Sequence, residues 1–593
     1  MISKILAIIV LLILLVSFTI FIVTEINPQR AVATSPSSLT QNDIKHHEIK
    51  TFQDGFCGVN PKPNSTEYIT EYVLPQSCEM PLGVGVDIEE DRVWYVSTKK
   101  GVLGSYNLEE DKFNEENQIP TWPSRDNPRE FSQVWDVEID NRRKEGAGEG
   151  NVWFTDGKQN AIWRFVTSTN TFERYIVPGQ SRDFGTTYPA SIEFDSYSDN
   201  IIYFVGMFKP SIWIAEIDKL KNGTSQGISE IPIPIKGFEG TDPVFITTGS
   251  PAFDEKENAV WVSVMVYGYK GQILKYNIDT KSFDIFNLPR ELSSPWGLTI
   301  DHNGNLWVTN AGSSIFYKLR PKSDNNGSYD VEDFEIEKFV TSKGSSRIFG
   351  KLPENKTEVD FQNRYYTLPS MIKNSNDGSI WFNEQHGNKI SKFDPLTRTL
   401  IEYWIPTQNR LWGICSNDNY DSDSLGDNSN KNNEICGIAN ALQFSIATQD
   451  DSDKDDTDIW FSEWSQNKIG KVEATDRPPF SIEIFESDKE LTIERGEKEK
   501  IKFTLKAAEQ PSSSLTDIRM VASGSFTSSG DIGSATGEFT DLPPSISIER
   551  GEECEVSFEF IPSVHEKPGN YTLMIGAEND SISYLKAVKI RII

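Results

Sequence analysis

A short pattern repeats along this chain, and it constrains the fold more than any other feature. Ile-Trp-Phe-x-Glu followed by Asn-Lys-Ile occurs at residues 380–390 and again at 459–469, and weaker copies precede both. Neighbouring copies lie between 46 residues (Trp261 to Trp307) and 79 residues (Trp381 to Trp460) apart. That spacing accommodates one four-stranded sheet per repeat, with loops of variable length. The seven copies are centred on Trp94, Trp153, Tyr203, Trp261, Trp307, Trp381 and Trp460.

Each repeat has the pattern of four short strands. An apolar strand such as residues 294–301 leads through an Asn-Gly turn into the Trp strand, and alternating β-branched and aromatic residues continue beyond it. The fourth strand ends in proline, as at residues 172–178, 283–289 and 401–406, which is typical of an outer edge strand. We therefore predict an all-β protein whose main domain, residues 67–477, is a seven-bladed β-propeller.

The first strand-like segment is out of place in this order. Residues 69–75 (ITEYVLP) have the pattern of a fourth strand but precede any first strand. Because open sheet edges invite aggregation, a ring of blades must close its seam. We expect this segment to complete the last blade, which the pattern predicts to begin near Trp412.

The repeats resemble those of a known family. WFNEQHGNKISKF at residues 381–393 and WFSEWSQNKIGKV at 460–472 are similar to the repeats of the virginiamycin B lyases, the streptogramin lyase propellers, and the resemblance extends over residues 67–472. It implies a catalytic histidine just before a Gly-Ile at the start of an inner strand, with metal-binding carboxylates nearby. Such a histidine would abstract a proton while a divalent ion polarises the adjoining carbonyl.

This chain departs from the family at that position. None of the matching residues is a histidine, which counts against streptogramin lyase activity. His386, two residues after Glu384, is the nearest substitute as a catalytic base, and the alternative is a solvated loop histidine. The matching residues are Leu82, Trp135, Ala190, Ala252, Trp296, Ser370 and Trp412.

Oxygen-bearing side chains recur three residues after the aromatic anchors. If they face the channel, their repulsion would favour bound Mg²⁺ or Ca²⁺, or raised pKa values. Alternatively, they hydrogen-bond to backbone amides at the blade ends. The set also resembles the metal sites of the lactonase propellers, which have six blades. The candidate metal ligands are Asp156, Asn310, Glu384 and Glu463.

Three tryptophans share the inner-strand position with Ser370. Trp135, Trp296 and Trp412 predict an aromatic rim for a small-molecule, peptide or glycan ligand, with Ser370 beside them. The alternative is that these rings only pack between blades.

The chain begins with an apolar segment. Residues 5–23 carry no charge and are long enough to span a bilayer, so we predict an N-terminal transmembrane anchor (1–25) and a flexible stalk (26–66). Lys4 before the segment and the acidic remainder after it suggest that the body lies outside the cell. A cleaved signal peptide, which would make the protein secreted, is the alternative.

The cysteines fit an oxidising compartment. Cys57 with Cys78, and Cys415 with Cys436, form two pairs of equal spacing, so we predict two disulfides and leave Cys554 unpaired. Isolated buried thiols are the alternative.

The net charge of the chain limits which partners are expected. A net charge of −30 argues against nucleic acid as a partner.

The C-terminal sequence predicts a second domain. Beyond residue 477 the repeat stops, and short strands separated by Gly, Pro and Ser turns predict an immunoglobulin-like β-sandwich at 478–593.

Two functions follow from these patterns. The first is a surface protein that recognises a ligand at one mouth of the propeller channel without performing chemistry. The second is a divalent-metal lyase or lactonase acting on a lactone or cyclic ester, with His386 as the base.

Overall fold

The computed structural model describes residues 63–126, 132–142, 150–179, 187–241, 245–321, 334–342, 366–408, 438–448, 457–474, 477–484, 490–509, 515–525 and 537–593. These residues are mainly β-strand, with one short α-helix at Pro123–Asp126 and two 3-10 turns at Ile217–Lys219 and Arg290–Leu292. No helix among them is long and apolar enough to cross a membrane. The apolar segment at 5–23 lies outside the described residues.

The aromatic anchors of the repeat all lie in the second strands of antiparallel blades, where their side chains are buried. Five of these blades are four-stranded sheets, the sheet of blade 1 has five strands, and the sheet of blade 6 continues into the C-terminal region. This confirms the all-β propeller architecture that the repeat predicts. In chain order the structure begins with β1 (Ile69–Val73), which precedes blade 1. Blade 1 contains β2 (Pro81–Asp87), β3 (Arg92–Ser97), β4 (Val102–Asn107), β5 (Lys112–Phe113) and β6 (Asn117–Gln118). Blade 2 contains β7 (Val137–Asp140), β8 (Asn151–Asp156), β9 (Ala161–Val166) and β10 (Thr171–Ile176), and blade 3 contains β11 (Pro189–Phe194), β12 (Ile201–Gly206), β13 (Lys209–Glu216) and β14 (Ile228–Pro232).

The remaining blades follow the same order, and the innermost strand of each is its first. Their strands are β15 (Thr247–Asp254), β16 (Ala259–Val266), β17 (Lys270–Asn277) and β18 (Ser282–Asn287) in blade 4; β19 (Pro295–Ile300), β20 (Leu306–Asn310), β21 (Ile315–Pro321) and β22 (Phe334–Val340) in blade 5; β23 (Pro369–Asn374), β24 (Ile380–Glu384), β25 (Lys389–Asp394) and β26 (Thr399–Trp404) in blade 6; β27 (Phe444–Thr448), β28 (Thr457–Glu463) and β29 (Lys468–Val472) in blade 7.

The seven blades of the described chain form a closed ring. Inner strands of successive blades contact one another from β2 round to β23, and β27 contacts β2. Blades 6 and 7 are joined by the Asn383 side chain, whose Nδ2 donates to the Ala441 carbonyl at 2.6 Å. As predicted, β1 supplies the missing outer strand of blade 7, pairing antiparallel with β29 from Ile69–Val472 to Val73–Lys468.

One prediction about blade 7 is wrong. Its inner strand is Phe444–Thr448, well beyond the predicted start near Trp412. Trp412 itself lies outside the described residues. A long acidic sequence precedes this strand, so the strand starts later in the chain than the spacing of the repeat predicts.

The asparagine of the repeated Asn-x-Ile motif joins neighbouring blades. Asn160, Asn388 and Asn467 all have left-handed backbones, with φ of 52°, 55° and 58°. Asn388 Nδ2 donates to the Ile405 carbonyl, just after the outer strand of blade 6, at 2.9 Å. Its Oδ1 accepts from the Ala439 amide, in the segment leading into blade 7, at 2.8 Å. Asparagine suits this role because it tolerates the left-handed region and offers both a donor and an acceptor.

The C-terminal region forms two sheets around a shared hydrophobic core. One sheet has the order β30-β32-β36-β34, and the other has β38-β37-β33-β35 with β31 parallel to β38. The strands are β30 (Phe480–Ile484), β31 (Leu491–Ile493), β32 (Glu499–Ala507), β33 (Leu515–Gly524), β34 (Gly537–Thr540), β35 (Ser545–Ile548), β36 (Glu553–Pro562), β37 (Gly569–Glu578) and β38 (Ile582–Ile592).

The C-terminal region is continuous with the propeller. Strand β38 pairs antiparallel with β26, from Thr399–Lys586 to Tyr403–Ile582. The outer strand of blade 6 is therefore not an edge, contrary to what its closing proline suggested. Trp404 Nε1 also donates to Ser583 Oγ at 2.8 Å across the junction, so blade 6 and the C-terminal region form one extended sheet.

Candidate functional site

The inner strands begin at one mouth of the central channel. Five of the seven, in the described residues, start with a register shift in their pairing, which turns one or two side chains out of the ladder. Bulges of this kind redirect side chains at functional surfaces. The residues at this level, from blade 1 to blade 7, are Leu82, Trp135, Ala190, Gly249, Trp296, Ser370 and Leu442.

Two of the sequence assignments at this level need correction. In blade 4 the shift lies between Thr248 and Pro251, so Gly249 holds the position that Ala252 was expected to hold. In blade 7 the position belongs to Leu442, because the strand starts at Phe444. Both replacements are small or apolar, so the absence of a histidine at this level remains.

Two tryptophans meet at the channel mouth. The ring centroids of Trp135 and Trp296 lie 6.5 Å apart with an interplanar angle of 59°. They come from blades 2 and 5, on opposite sides of the channel. The cavity between them measures about 10 Å³, roughly the space that one water molecule needs. Among the described residues, the two aromatic side chains thus leave little free space at this mouth of the channel.

Further apolar side chains pack around this pair, beside the polar residues Ser191, Thr248, Ser250 and Gln443. Partly buried Tyr188 and Phe208 pack against the same cluster, with ring centroids 4.9 Å apart. Phe245 and Tyr269, which are 45% and 69% exposed, lie in loops on the same face of the ring. The buried members of the cluster are Met80, Leu82, Trp135, Ala190, Met207, Leu442 and Trp464.

Ser370 does not project into the mouth. Its Oγ is within 3.0 Å of Asn383 Oδ1, to which it donates, and the residue is buried. Gly297 lies so close to Ser370 that a side chain at position 297 would collide with the Ser370 carbonyl. Of the predicted ligand residues in the described chain, the structure thus brings together Trp135 and Trp296, with Ser370 behind them.

A charged layer lies inside the channel below the tryptophans. Lys373 on β23 reaches across to Glu138 on β7, with Nζ and Oε1 2.7 Å apart and both side chains partly exposed. Asp136 and Glu193 complete the layer. Burial raises the pKa of Asp136 to about 7 and that of Glu193 to about 8. Burial alone would lower the pKa of Lys373, but the carboxylates of Glu138, Asp136 and Glu193 outweigh it and raise that pKa.

The predicted metal ligands are buried at the ends of second strands, in four different blades. Asp156 accepts hydrogen bonds from Ser132 Oγ, Trp163 Nε1 at 2.9 Å and the Gln159 amide at 3.0 Å. Burial nevertheless raises its pKa. Its oxygens are engaged within blade 2.

Asn310 is likewise engaged within blade 5. Its Oδ1 accepts from the Ser294 amide at 3.0 Å, and its Nδ2 donates to the Glu291 carbonyl at 2.9 Å and to Ser313 Oγ at 2.8 Å. These bonds correspond to the blade-end arrangement that the sequence left open as an alternative.

Glu384 and Glu463 lie beside lysines. Glu384 Oε1 accepts from Ser391 Oγ at 2.6 Å, and Lys389 lies 3.6 Å from Oε2. Burial and Glu402 raise the pKa of Glu384 to about 7, although Lys389 opposes this. Burial and Glu71 raise the pKa of Glu463 well above its usual range. In the chain as described, no three His, Cys, Asp or Glu side chains converge on a common point suited to a metal ion.

His386 lies in the turn between β24 and β25, at the same end of the blade as Glu384. Its amide donates to the Thr367 carbonyl at 2.9 Å. Burial lowers the pKa of the imidazole to about 4, so it is neutral at physiological pH and can accept a proton only weakly.

One cysteine of the two predicted disulfides lies among the described residues. Cys78 is disulfide-bonded, and its partner lies outside the described residues, as do Cys57, Cys415 and Cys436. Cys554 is a free, half-buried thiol.

The comparisons with known proteins concern the fold. No protein-family model matches the sequence, and no curated protein does. Among solved structures, the chain is similar to virginiamycin B lyase from Staphylococcus aureus (19% identity, 68% of this chain and 98% of that chain, TM-score 0.43). It is also similar to a streptogramin B lyase (18%, 68% and 97%, 0.44) and to the WD40 repeats of RRP9 (9%, 69% and 98%, 0.41). These likenesses carry no statement about activity.

Sequence reasoning missed the charged layer. Lys373 and Glu138 were visible as charged residues within apolar inner strands, which is unusual for side chains expected to be buried. Their partnership was not visible, because the two strands are separated by more than two hundred residues and meet only when the ring closes.

Proposed function

We propose that this protein recognises an extended ligand, a glycan chain, on the face of the propeller where Trp135 and Trp296 meet. The pair of aromatic side chains at the channel mouth carries the proposal. Sites for small molecules are usually cavities of about 300–1,000 Å³, and the mouth here offers about 10 Å³. A shallow aromatic surface suits a ligand that lies across it.

The chemistry of that surface favours rings with apolar faces. Trp and Tyr combine a large apolar area with one polar group, so they bind partners that are apolar on one side and polar on the other. Sugar rings have this character, and an uncharged glycan is not repelled by a protein of net charge −30. An aromatic peptide would use the same contacts and is the alternative outcome of the test.

The polar residues of the repeat motif hydrogen-bond within and between the blades, which also supports binding over catalysis. Asp156 and Asn310 hydrogen-bond within their own blades, and Asn388 joins two blades. His386 has a pKa of about 4 and is poorly suited to act as a base near neutral pH.

We also propose that the C-terminal region is an immunoglobulin-like module and that the body is exported, anchored by residues 5–23. Two sheets around one core support the first point. The disulfide at Cys78 supports the second, because disulfides persist in oxidising compartments.

Binding of the full-length protein to glycan and peptide arrays tests the proposal. We expect Trp296→Ala to weaken glycan binding at least tenfold while the melting temperature changes little, because Trp296 is only partly buried. Tyr197→Ala, which removes a 67% exposed aromatic from the opposite face of the ring, is the control and should bind normally. Peptide binding lost in Trp296→Ala would reassign the ligand. Binding that survives Trp296→Ala but not Tyr197→Ala would move the site to the other face.

The divalent-metal lyase or lactonase remains the second candidate. The observation in its favour is Glu384, whose pKa of about 7 would let it exchange a proton near neutrality. Elemental analysis of wild type and of Glu384→Gln/Glu463→Gln tests it. Loss of one stoichiometric Mg²⁺ or Ca²⁺ in the variant would support this function, and metal content unchanged by the substitutions would exclude that site.

A further inference from the structure

Blade 1 differs from the other blades in its outer strand. That strand is split into β5 and β6, which pair with opposite ends of β4. The fourth strands of blades 2 to 7, as described, are each continuous. Between the two halves the Asn114 amide bonds to the Ser105 carbonyl at 2.9 Å. The interruption takes residues 114–116 out of the ladder and turns Glu116 towards the blade.

Glu116 meets Glu79 at this interruption. Glu79, just before β2, is fully buried. Its Oε1 accepts from the Gln76 amide at 2.7 Å, and the Gln76 side chain donates to Glu116 Oε2. Gln76 therefore holds the two carboxyl groups side by side. The remaining oxygens, Glu79 Oε2 and Glu116 Oε1, are buried and accept no hydrogen bond.

A phenol points into the same place. Tyr95 on β3 is fully buried, and its hydroxyl forms no hydrogen bond. Burial and the charges of Glu79 and Glu116 raise the pKa of Tyr95 far above its usual range, since both carboxyl groups lie close to the phenol. Three oxygens from three segments of blade 1 thus converge.

Packing does not require the Tyr95 hydroxyl. The Tyr95 ring lies directly over Gly104, where a side chain would collide with it. Blade 7 has the same arrangement with Phe461 over Gly470. Phenylalanine therefore fills this position, and the hydroxyl in blade 1 adds only an oxygen.

The charge at this cluster is uncompensated. No salt bridge to Glu79 or Glu116 is present in the part of the chain that the structure describes. Lys100 acts on Glu79 only from a distance. Leaving two adjacent carboxylates buried without a cation is costly, so the group must bind a cation or a proton.

We propose that Glu79, Glu116 and Tyr95 form a calcium site in blade 1, separate from the channel mouth. Two carboxylates and a neutral oxygen are hard ligands, and Ca²⁺ accepts such incomplete, flexible sets with water filling the remaining positions. Gln76 is exposed and Glu116 is half-buried, which leaves the ion a path from solvent. The ion would tie the loop at Cys78 to the split outer strand.

Calcium titration of the EDTA-treated full-length protein tests the site. We expect Ca²⁺ to raise the melting temperature of the wild type, because a ligand that binds the folded state stabilises it. Glu116→Gln should weaken calcium binding at least tenfold. Tyr95→Phe, which installs the residue that blade 7 already tolerates, should weaken it several-fold without loss of folding.

Glu115→Gln is the matched control, since it removes the same charge from the exposed neighbouring residue. It should bind calcium like the wild type. Absence of any calcium effect on the wild type would overturn the proposal in favour of a shared proton. An effect equal in wild type and Glu116→Gln would overturn it in favour of binding elsewhere, for example at the acidic residues 450–458. Neither result depends on ligand binding at the channel mouth.

Discussion

Blades 6 and 7 carry the same buried arrangement of two carboxylates and one lysine, but they complete it from different parts of the chain. In blade 6 the ammonium of Lys389 lies 3.0 Å from Glu402, which belongs to the blade's own fourth strand. In blade 7 the ammonium of Lys468 lies 2.6 Å from Glu71 on β1, almost four hundred residues away in sequence. The same local chemistry therefore stabilises one blade internally and closes the whole ring in the other.

A second difference concerns the remaining carboxylate. Ser391 donates to Glu384 in blade 6. Gly470 stands at the equivalent position of blade 7, and neither oxygen of Glu463 forms a hydrogen bond in the described chain. The pKa of Glu384 rises to about 7, while that of Glu463 rises well above its usual range. Two glutamates at the same position of one repeat therefore have different pKa values, and the Ser391 hydroxyl is one of the groups that lower the pKa of Glu384 relative to that of Glu463.

The largest effect should come from removing the cation at the seam. Lys468→Met leaves Glu71 buried without its partner and should lower the free energy of unfolding by about 3–5 kcal/mol. Lys389→Met should cost a similar amount, but only Lys468→Met should make β1 sensitive to protease. Urea denaturation at pH 7 and limited proteolysis measure the two effects. Equal protection of β1 in both variants would contradict a special role for Lys468 in closure.

The inter-blade asparagines should come next. Asn467→Ala removes the acceptor of the buried Glu79 amide, at 2.6 Å, and the donor to the Gln76 carbonyl, at 2.7 Å. We expect a loss of about 2–3 kcal/mol, measured by urea denaturation, with Asn388→Ala as the matched change in blade 6. Asn467→Gly keeps the left-handed backbone and should recover about 1 kcal/mol. No recovery would mean that backbone strain contributes nothing.

Ser391→Ala should make blade 6 resemble blade 7. Loss of the hydrogen bond to Glu384 should cost about 1–2 kcal/mol at pH 7 and raise the pKa of Glu384 further. Because a protonated Glu384 needs the hydroxyl less, the cost should shrink as pH falls towards 5. Denaturation curves at both pH values measure this, and a cost that grows at low pH would contradict the assigned ionisation.

Glu463→Gln should have the smallest effect at low pH. An amide has the charge and nearly the shape of a protonated carboxyl, so the variant should differ from the wild type by less than about 1 kcal/mol at pH 4 and should be the more stable of the two at pH 7. When folding raises the pKa of a carboxyl, the free energy of unfolding of the protein falls as pH rises above the ordinary pKa of that group, 4.5. The variant should therefore decline less steeply between pH 5 and pH 8 than the wild type. An unchanged slope would show that Glu463 does not titrate differently on folding.

The sequence predicted the blades because their period is local. An aromatic anchor and alternating strands recur within each repeat, so the second strands could be located from residues such as Trp381 and Trp460. The insertion before Phe444 broke this period, and the inner strand of blade 7 was misplaced. The pairing of β38 with β26 was not predictable, because no sequence period links the C-terminal region to blade 6.

The site was predictable only in part. Trp135 and Trp296 were recognised because they share a position in the repeat. The Lys373–Glu138 pair and the group formed by Glu79, Glu116 and Tyr95 were not, since each depends on contacts between segments that the repeat does not relate. Repetition shows which residues are equivalent, whereas function here depends on residues that differ between equivalent positions.

The closing strand also determines how the molecule bears load. The 62 residues that precede the described chain join the protein through β1, at the seam of the ring. With the disulfide at Cys78 reduced, a pull on that segment would reach the β1–β29 ladder and the Glu71–Lys468 pair before any other blade. The mechanical resistance of the reduced protein to tension from its N-terminal side should therefore depend on one strand and one buried ion pair. Single-molecule extension under reducing conditions should show rupture of this seam as the first event.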